Sequence, residues 1–262
     1  MAPPLDRLAL RRYRTLARRG ELARDPEAVE RETVLAFTRV LEADRTRRRP
    51  SPSARRALVD SFHRLYYHSS KQTWESTYFR GTAVWKNPLD LWLYQEILCK
   101  VRPDVIIETG TKYGGSAYYL ASMCDLLDHG EVITIDIQVQ PGRPDHSRIT
   151  YLTGSSTDPQ VVERVDALLP PDATTLVFLD SDHRCDHVLD ELRIWASRVS
   201  VGSYLVVEDT NINGHPAAEK WGPGPMEAVD IFLRGNDGFE VDESKHKFFL
   251  TFNPRGYLRR VS

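Results

Sequence analysis

The chain has 262 residues, with 35 Lys and Arg against 37 Asp and Glu, 41% hydrophobic residues and 3 Cys. This composition excludes a mostly disordered, a collagen-like and a disulfide-stapled chain. Three cysteines without C-x-x-C spacing do not indicate a zinc site. No apolar run approaches the roughly 18 to 20 residues of a membrane span, and arginines occupy the place of a signal peptide's apolar core. We therefore expect a cytoplasmic protein without a membrane partner.

The near-neutral net charge hides a basic N-terminal segment. Residues 1–56 contain 15 Arg and 8 Asp or Glu, so the remainder of the chain is net acidic. We interpret residues 1–53 as a basic helical arm and linker, with packing in a homo-oligomer or binding of an acidic partner as alternatives. Nucleic acid is the less favoured partner, because the arginine run at 45–49 has no interleaved aromatic residue for base stacking.

Apolar residues at helical spacing predict the first elements in chain order. Two helices are expected within residues 5–44, and a third begins near Ala54. Residues 66–85 are rich in Tyr, Trp, Ser and Thr and are interpreted as a structured loop. A further helix over 89–98 follows Asn87, which is typical of a helix N-terminus.

From Val101 onward, short apolar strands alternate with amphipathic helices. The strands are predicted at 105–107, 132–137, 149–152, 176–179 and 204–207. The helices are predicted at 116–127, 161–169, 187–199 and 226–233. The last two strands, at 239–241 and 248–252, are expected to form an antiparallel hairpin on the sheet edge. Residues 54–262 are therefore predicted to be one α/β domain with a doubly wound, mostly parallel, Rossmann-like sheet that binds ligands at the carboxyl ends of its strands.

The first strand leads through a glycine loop directly into a helix. Gly110, Gly114 and Gly115 let the backbone turn sharply, and the helix N-terminus at Ser116 offers free N–H groups to a ligand. The second strand ends at Asp136, whose carboxylate can accept hydrogen bonds from both ribose hydroxyls. The pattern predicts a nucleotide site.

The spacing of the glycines helps to choose the nucleotide. A dinucleotide site usually reads G-x-G-x-x-G, whereas the glycines here are differently spaced. The carboxylate of Glu108 would repel a pyrophosphate but could bind a cationic amino-acid group. This favours S-adenosylmethionine over NAD. A merely structural turn is the remaining alternative. After the third strand, Ser155 could border the adenine or cap the next helix.

Four carboxylates follow the fourth and fifth strands of the predicted sheet. Asp180 and Asp182 come after the fourth strand, and Glu208 and Asp209 after the fifth. Neighbouring parallel strands end at one edge, so these groups should converge, and a bound cation would offset their repulsion. Oxygen ligands favour Mg²⁺ or a similar hard ion. Helix capping by some of these acids is the alternative interpretation.

Five separated motifs carry a family resemblance. They are Lys86-Asn87-Pro88-x-Asp90, Glu108 to Ser116, Asp180-x-Asp182-His183, Val207 to Pro216 and Phe249 to Leu258. Over about Trp74 to Arg260 the chain resembles the cephalosporin hydroxylase / rhamnosyl O-methyltransferase family. The resemblance implies a class I methyltransferase fold, S-adenosylmethionine, a divalent metal and a substrate from antibiotic or glycoside biosynthesis.

The resemblance also implies a metal held by one acid after the fourth strand and by the pair Glu208 and Asp209. Distantly similar catechol-type methyltransferases suggest Asp180, which lies 28 residues before Glu208. The nearer cephamycin-type pattern suggests Asp182, which lies 26 residues before Glu208. We retain both acids as candidate metal ligands and slightly favour Asp182.

The expected chemistry is transfer of a methyl group from a sulfonium to a hydroxyl of a small natural product or its sugar. The candidate proton acceptors are Asp182, His183 and His215. The expected cofactor-binding residues are Glu108, Gly110, Gly114, Ser116, Asp136, Ser155 and Asp180. Substrate walls are expected from Tyr78, Phe79, Trp85 and residues 215–225.

Three rival functions remain open at this point. One is an NAD(P)-dependent oxidoreductase that uses the same glycine loop. Another is a non-catalytic hydroxylase or methoxylation partner on a methyltransferase fold. The third is a nucleic-acid methyltransferase that uses the arginine-rich arm.

Overall fold

The computed structural model describes residues 31, 33–36, 38–39 and 50–262. The chain divides into two compact units, Met1–Ser69 and Ser70–Ser262. Most of the two helices expected within residues 5–44 lies outside the described residues, and those described between 31 and 39 are helical. The domain boundary expected at residue 53 falls within a helix of the first unit.

The first unit contains helix α1, Pro52–His68. Ser51 caps it by accepting a hydrogen bond from the Ala54 N–H, and Pro52 suits the first helical turn because its missing N–H needs no partner there. Thr33 Oγ1 donates to the Ser61 carbonyl at 3.2 Å, which joins the described residues before 40 to α1.

The second unit is built on a mixed seven-stranded sheet. Its strands are β3 (Val105–Thr109), β4 (Glu131–Asp136), β5 (Ile149–Thr153), β6 (Thr175–Leu179), β7 (Tyr204–Val207), β8 (Phe239–Val241) and β9 (Tyr257–Arg260), and a small hairpin of β1 (Tyr78–Phe79) and β2 (Thr82–Ala83) precedes them. The spatial order is β5-β4-β3-β6-β7-β9-β8. Strands β3 to β7 are parallel to one another, and β9 is antiparallel to both β7 and β8. The predicted α/β fold with a mostly parallel sheet is confirmed.

Helices cover both faces of this sheet. They are α2 (Pro88–Val101), α3 (Gly115–Leu127), α4 (Pro159–Asp166), α5 (Cys185–Trp195) and α6 (Pro225–Arg234). Apolar side chains of α2 and α3 form a core on one face, and those of α4, α5 and α6 form a second core on the other. Among the described residues, no helix is both long and apolar enough to cross a membrane.

The predicted position of the last strand is wrong. Residues 248–252 do not form a strand, and β9 begins at Tyr257 and lies between β7 and β8. Phe248 and Phe249 have φ of 73° and 64°, which an extended strand does not allow. The backbone N–H of Phe252 donates to a buried carboxylate on α2 and takes no place in the sheet. Tertiary contacts therefore override the apolar, strand-like composition of this segment.

Candidate active site

The register of β6 and β7 brings two acids to one edge of the sheet. Leu179 lies opposite Val207, so Asp180 and Glu208 follow the two strands at the same level. The Glu208 N–H donates to the Leu179 carbonyl at 3.0 Å, which extends the pairing by one step. Asp209 then turns with φ of 53°, and Asn253 Oδ1 accepts its N–H at 3.1 Å. The convergence expected from parallel strands is present for these three acids.

A buried lysine joins two of these carboxylates. Lys86 Nζ lies 2.6 Å from Asp180 Oδ2 and 2.6 Å from Glu208 Oε2, and its side chain is 4% exposed. Burial alone would lower the pKa of Lys86, but the charges of Asp180, Glu208 and Glu108 raise it above its usual value. Lys86 is therefore a fixed positive charge inside an acidic cluster.

His183 lies on the other side of the cluster. Its Nε2 is 3.3 Å from Asp180 Oδ1 and 3.4 Å from Asp209 Oδ2. Burial would lower the pKa of His183, but the carboxylates of Asp209 and Asp180 raise it to about 9. One ligand atom from each of these three residues lies within 4.8 Å of the others, which is a spacing that can hold a metal ion.

Glu208 has an oxygen without a partner. Its Oε1 is buried and accepts no hydrogen bond from the described residues, whereas Oε2 is bonded to Lys86. Burial raises the pKa of Glu208 well above its usual value, against the attraction of Lys86. Burial likewise raises the pKa of Asp209, while Lys86 and His183 hold that of Asp180 below its usual range despite its burial. An orphaned carboxylate oxygen beside two further carboxylates fits a hard divalent cation.

The structure separates Asp182 from this cluster. Arg184 Nη2 lies 2.5 Å from Asp182 Oδ2, and the backbone N–H of Arg184 donates to Asp182 Oδ1 at 3.0 Å. The Asp182 side chain is 34% exposed. Its carboxylate is thus engaged by Arg184 just before α5, although no side chain caps that helix. The arrangement favours Asp180 over Asp182 as the acid that joins Glu208 and Asp209.

His215 is engaged outside the cluster as well. Its Nε2 lies 2.8 Å from Glu227 Oε1, and Glu227 also accepts from Asn213 and from the Gly224 N–H. The segment between β7 and α6 nevertheless reaches the site, because Trp221 Nε1 donates to the His183 carbonyl at 3.2 Å. Trp221 is half exposed beside the histidine.

The glycine loop packs directly against the end of β6. A Cβ on Gly110, whose φ is 89°, would lie 1.8 Å from the Asp180 carbonyl oxygen, so only glycine fits there. Glu108 is 1% exposed, and its Oε2 accepts from Thr134 Oγ1 at 2.6 Å. Burial raises the pKa of Glu108, opposed by Lys86 and by a hydrogen bond from Ser116. Glu108, Gly110 and Ser116 therefore lie next to the acidic cluster, as expected for one continuous site.

The next strand end organises the far side of the glycine loop. Asp136 Oδ2 accepts the Lys112 N–H at 2.7 Å, and Asp136 Oδ1 accepts the Gln138 N–H at 2.8 Å. Gly114, with φ of 78°, forms the N-cap of α3. Arg143 Nη2 also lies 3.3 Å from Asp136 Oδ2, so Oδ1, with one donor, is the oxygen that retains a lone pair for a ribose hydroxyl. Ser155 bonds to Thr157 within the loop after β5, at 3.0 Å between hydroxyl oxygens.

Aromatic side chains line the segment that carries Lys86. The ring centroid of Trp85 lies 6.3 Å from that of Trp74 and 5.1 Å from that of Tyr113. Phe79 packs against Tyr119 of α3 at 5.2 Å between ring centroids, which is ordinary packing. Of the expected substrate walls, Trp85 directly precedes Lys86 but carries Lys112 Nζ over its ring, 4.7 Å from the centroid, and Tyr78 is exposed on the hairpin.

Sequence reasoning assigned no role to two residues that hold the site together. Lys86 is 94 residues from Asp180 and 122 from Glu208, and Asn253 is 44 residues from Asp209. No local spacing rule joins such distant positions. The only signal was their presence in the motifs of the family resemblance.

The model of the rhamnosyl O-methyltransferase/CmcI family matches residues 71–261. A rhamnosyl O-methyltransferase of Mycobacterium tuberculosis (strain ATCC 25618 / H37Rv) is 37% identical over 214 residues, which cover 78% of this chain and 85% of that protein. One from Mycobacterium leprae (strain TN) is 34% identical over 213 residues, with 78% and 91% covered. The resemblance found in the motifs is confirmed.

A solved structure of CmcI with Mg and SAM has a similar fold. It superimposes with a TM-score of 0.56 at 20% sequence identity, and the match covers 72% of this chain and 78% of that one. The sequence relatives are O-methyltransferases and leave the oxidoreductase alternative without support. The chain belongs to the rhamnosyl O-methyltransferase/CmcI family and is an O-methyltransferase.

Proposed function

We propose that this protein transfers a methyl group from S-adenosylmethionine to a hydroxyl of a small natural product or its sugar, with the help of a divalent metal. Two observations carry this proposal. Lys86 joins the carboxylates of Asp180 and Glu208, and Asp209 lies with Asp180 and His183 in one cluster beside the glycine loop. The names of the rhamnosyl O-methyltransferase relatives and the Mg and SAM in the CmcI structure support it.

The metal ligands in this proposal are Asp180, Glu208 and Asp209. All three are oxygen donors at one sheet edge, and the unpartnered Glu208 Oε1 is a free ligand atom. A bound divalent cation would lower the pKa of the acceptor hydroxyl and orient its oxygen. The protein's own contribution is to hold these carboxylates on rigid strand ends, so that little reorganisation is needed.

The cofactor is assigned to the neighbouring half of the same edge. In this proposal Glu108 binds the cationic amino-acid group, and Asp136 binds the ribose hydroxyls. Gly110 and Gly114 allow close approach of the backbone, the α3 N-terminus at Ser116 presents N–H groups, and Ser155 borders the adenine. Asp180 lies where the two halves meet, since its backbone packs on Gly110.

Among the three candidate proton acceptors, we assign the role to His183. Asp182 is paired with Arg184 and His215 with Glu227, whereas His183 Nε2 faces the cluster. Proton acceptance at Nε2 requires the neutral imidazole. A metal cation bound to the same carboxylates would favour the neutral imidazole, because its positive charge weakens the attraction of the carboxylates for the imidazolium.

The acceptor is proposed to be a hydroxylated sugar or an antibiotic scaffold. The relatives named for a rhamnosyl group favour a sugar. Trp221, half exposed and bonded to the His183 carbonyl, offers an aromatic face to the apolar side of such a ring. A cytoplasmic homo-oligomer, with the basic arm taking part in assembly, remains a prediction.

The ligand set is tested with Asp180→Asn and with the double variant Glu208→Gln, Asp209→Asn. Both should bind MgCl₂ too weakly for calorimetric titration and lose about 100-fold or more in methyl transfer from labelled S-adenosylmethionine to rhamnosyl glycosides. Asp182→Asn is the matched control and should keep both properties. Full methyl transfer by the double variant in chelator would contradict the metal assignment, and loss of metal binding only in Asp182→Asn would restore the alternative acid.

A further inference from the structure

Lys86 is held too firmly to be an incidental surface charge. It follows Trp85, whose φ is 57°, and precedes Asn87, the N-cap of α2. Thr77 Oγ1 accepts the Lys86 N–H at 3.3 Å and lies 3.2 Å from the Lys86 carbonyl oxygen, while the Trp74 carbonyl at 2.7 Å is its nearer acceptor. The backbone of Lys86 is therefore held by Thr77, and its long side chain is almost fully buried. The conformational entropy of that side chain is already lost before any ligand arrives.

The ammonium of Lys86 occupies two of the oxygens that the proposed ligand set offers. It bonds Asp180 Oδ2 and Glu208 Oε2, one oxygen from each carboxylate. An ammonium has three donors and no acceptor, so Lys86 cannot itself be a metal ligand. A cation that binds here meets a positive charge already placed between two of its ligands.

Other oxygens of the three carboxylates make no bond to Lys86. Asp180 Oδ1 and Asp209 Oδ2 face the His183 imidazole at 3.3 Å and 3.4 Å, and Glu208 Oε1 has no partner among the described residues. Lys86 therefore restrains the cluster without closing it. Two carboxylates with a shared counter-charge also repel each other less than they would alone.

We propose that Lys86 is a positioning residue that holds Asp180 and Glu208 together in the metal-free protein and, by its charge, weakens the binding of divalent metal at the same site. This inference rests on the proposed ligand set. Lys86 thus lowers the affinity of the site for metal but keeps the two carboxylates together before metal binds. Removal of Lys86 should therefore raise the metal affinity and lower the stability of the metal-free protein.

The test is calorimetric titration of the full chain with MgCl₂ for the wild type, Lys86→Met, Lys86→Gln and Lys86→Arg. Loss of a unit positive charge a few ångströms from the ion should tighten Mg²⁺ binding about tenfold or more in the Met and Gln variants. The Arg variant keeps the charge and should bind as weakly as the wild type. Lys100→Met, which removes an exposed lysine from the end of α2, is the matched control and should change nothing.

A second measurement separates positioning from charge alone. Without metal, thermal unfolding of Lys86→Met should occur at lower temperature than that of the wild type, because two buried carboxylates lose their counter-charge. Saturating MgCl₂ should then raise the melting temperature of Lys86→Met by more than it raises that of the wild type. Lys86→Gln serves in its place if the Met variant does not fold.

Three results would overturn the inference, and they are distinguishable. Wild-type or weaker Mg²⁺ affinity in both neutral variants would show that Lys86 does not oppose the metal. Tight binding by Lys86→Arg as well would show that its shape and not its charge is responsible. Absence of Mg²⁺ binding in every variant would mean that the ligand set itself is wrong, and the inference would fall with it.

Discussion

Two buried carboxylates of the second unit, Asp90 and Glu208, have opposite surroundings. Asp90 accepts hydrogen bonds from Thr251 Oγ1, the Phe252 N–H, Tyr257 OH and Asn87 Nδ2 at 2.5, 2.8, 2.9 and 3.0 Å. Glu208 bonds Lys86 with one oxygen and leaves the other without a donor among the described residues. A buried carboxylate whose two oxygens both accept hydrogen bonds is typical of a structural role. A buried carboxylate with an oxygen that accepts none is typical of a ligand site.

The hydrogen-bonded region around Asp90 supports the acidic cluster through Asp209. Thr251 Oγ1, which donates to Asp90, accepts the Asn253 N–H at 3.0 Å, and Asn253 Oδ1 in turn accepts the Asp209 N–H. Asn253 Nδ2 also donates to Tyr94 OH at 2.8 Å. The segment after β8, which forms no strand at 248–252, is therefore the part of the chain that holds Asp209 in its left-handed conformation. This role explains why residues 248–252 do not form the predicted strand.

The largest effect is expected from Asp90→Ala. Four donors would lose a buried acceptor at once, so the free energy of unfolding should fall by about 3 to 5 kcal/mol. Urea unfolding without metal measures this change. Asp190→Ala, which removes an exposed partner of Arg193 on α5, is the control and should cost under about 0.5 kcal/mol. A similar small cost for both variants would remove the structural half of the comparison.

A smaller effect is expected from the titration of Asp90. Burial raises its pKa from 3.8 to about 6 in spite of its hydrogen bonds. Since the folded state then binds the proton more tightly than the unfolded state, this group stabilises the fold at pH 4 and loses that contribution as pH rises through 6. The loss amounts to about 3 kcal/mol at most.

The measurement is the difference in free energy of unfolding between the wild type and Asp90→Asn at several pH values. That difference should decrease from pH 4 to pH 7, because the amide does not titrate. A difference that increases over this range would reverse the inferred direction of the shift.

The smallest effect on stability is expected from Glu208→Gln. The amide no longer buries a charge, and Lys86 keeps Asp180 as a partner, so metal-free stability should change by no more than about 1 kcal/mol. Stabilisation by MgCl₂ should disappear. Thermal unfolding with and without MgCl₂ measures both quantities, with Asp182→Asn as control. A loss as large as that of Asp90→Ala would show that Glu208 is structural and the two carboxylates are alike.

The local pattern of the sequence was sufficient for the architecture. Alternating apolar strands and amphipathic helices predicted a parallel sheet, because strands buried on both faces must be nearly continuous in apolar residues. β7 and β8 were predicted with their observed bounds, and the other predicted strands and helices from α2 to β8 within a few residues. The same reasoning placed Glu108, Asp136, Asp180 and Glu208 at strand ends. It failed at 248–252, where an apolar run satisfies its backbone through Asp90.

Which of these strand-end residues meet was decided only by the tertiary structure. Asp180 and Asp182 are chemically identical and two positions apart, but Arg184 engages one and Lys86 the other. Lys86 and Asn253 reach the site from distant segments. Strand order and side-chain direction set those contacts, and both depend on the packing of the whole sheet. Composition and motif thus determined the class of fold and enzyme, and tertiary packing selected the residues that form its charged centre.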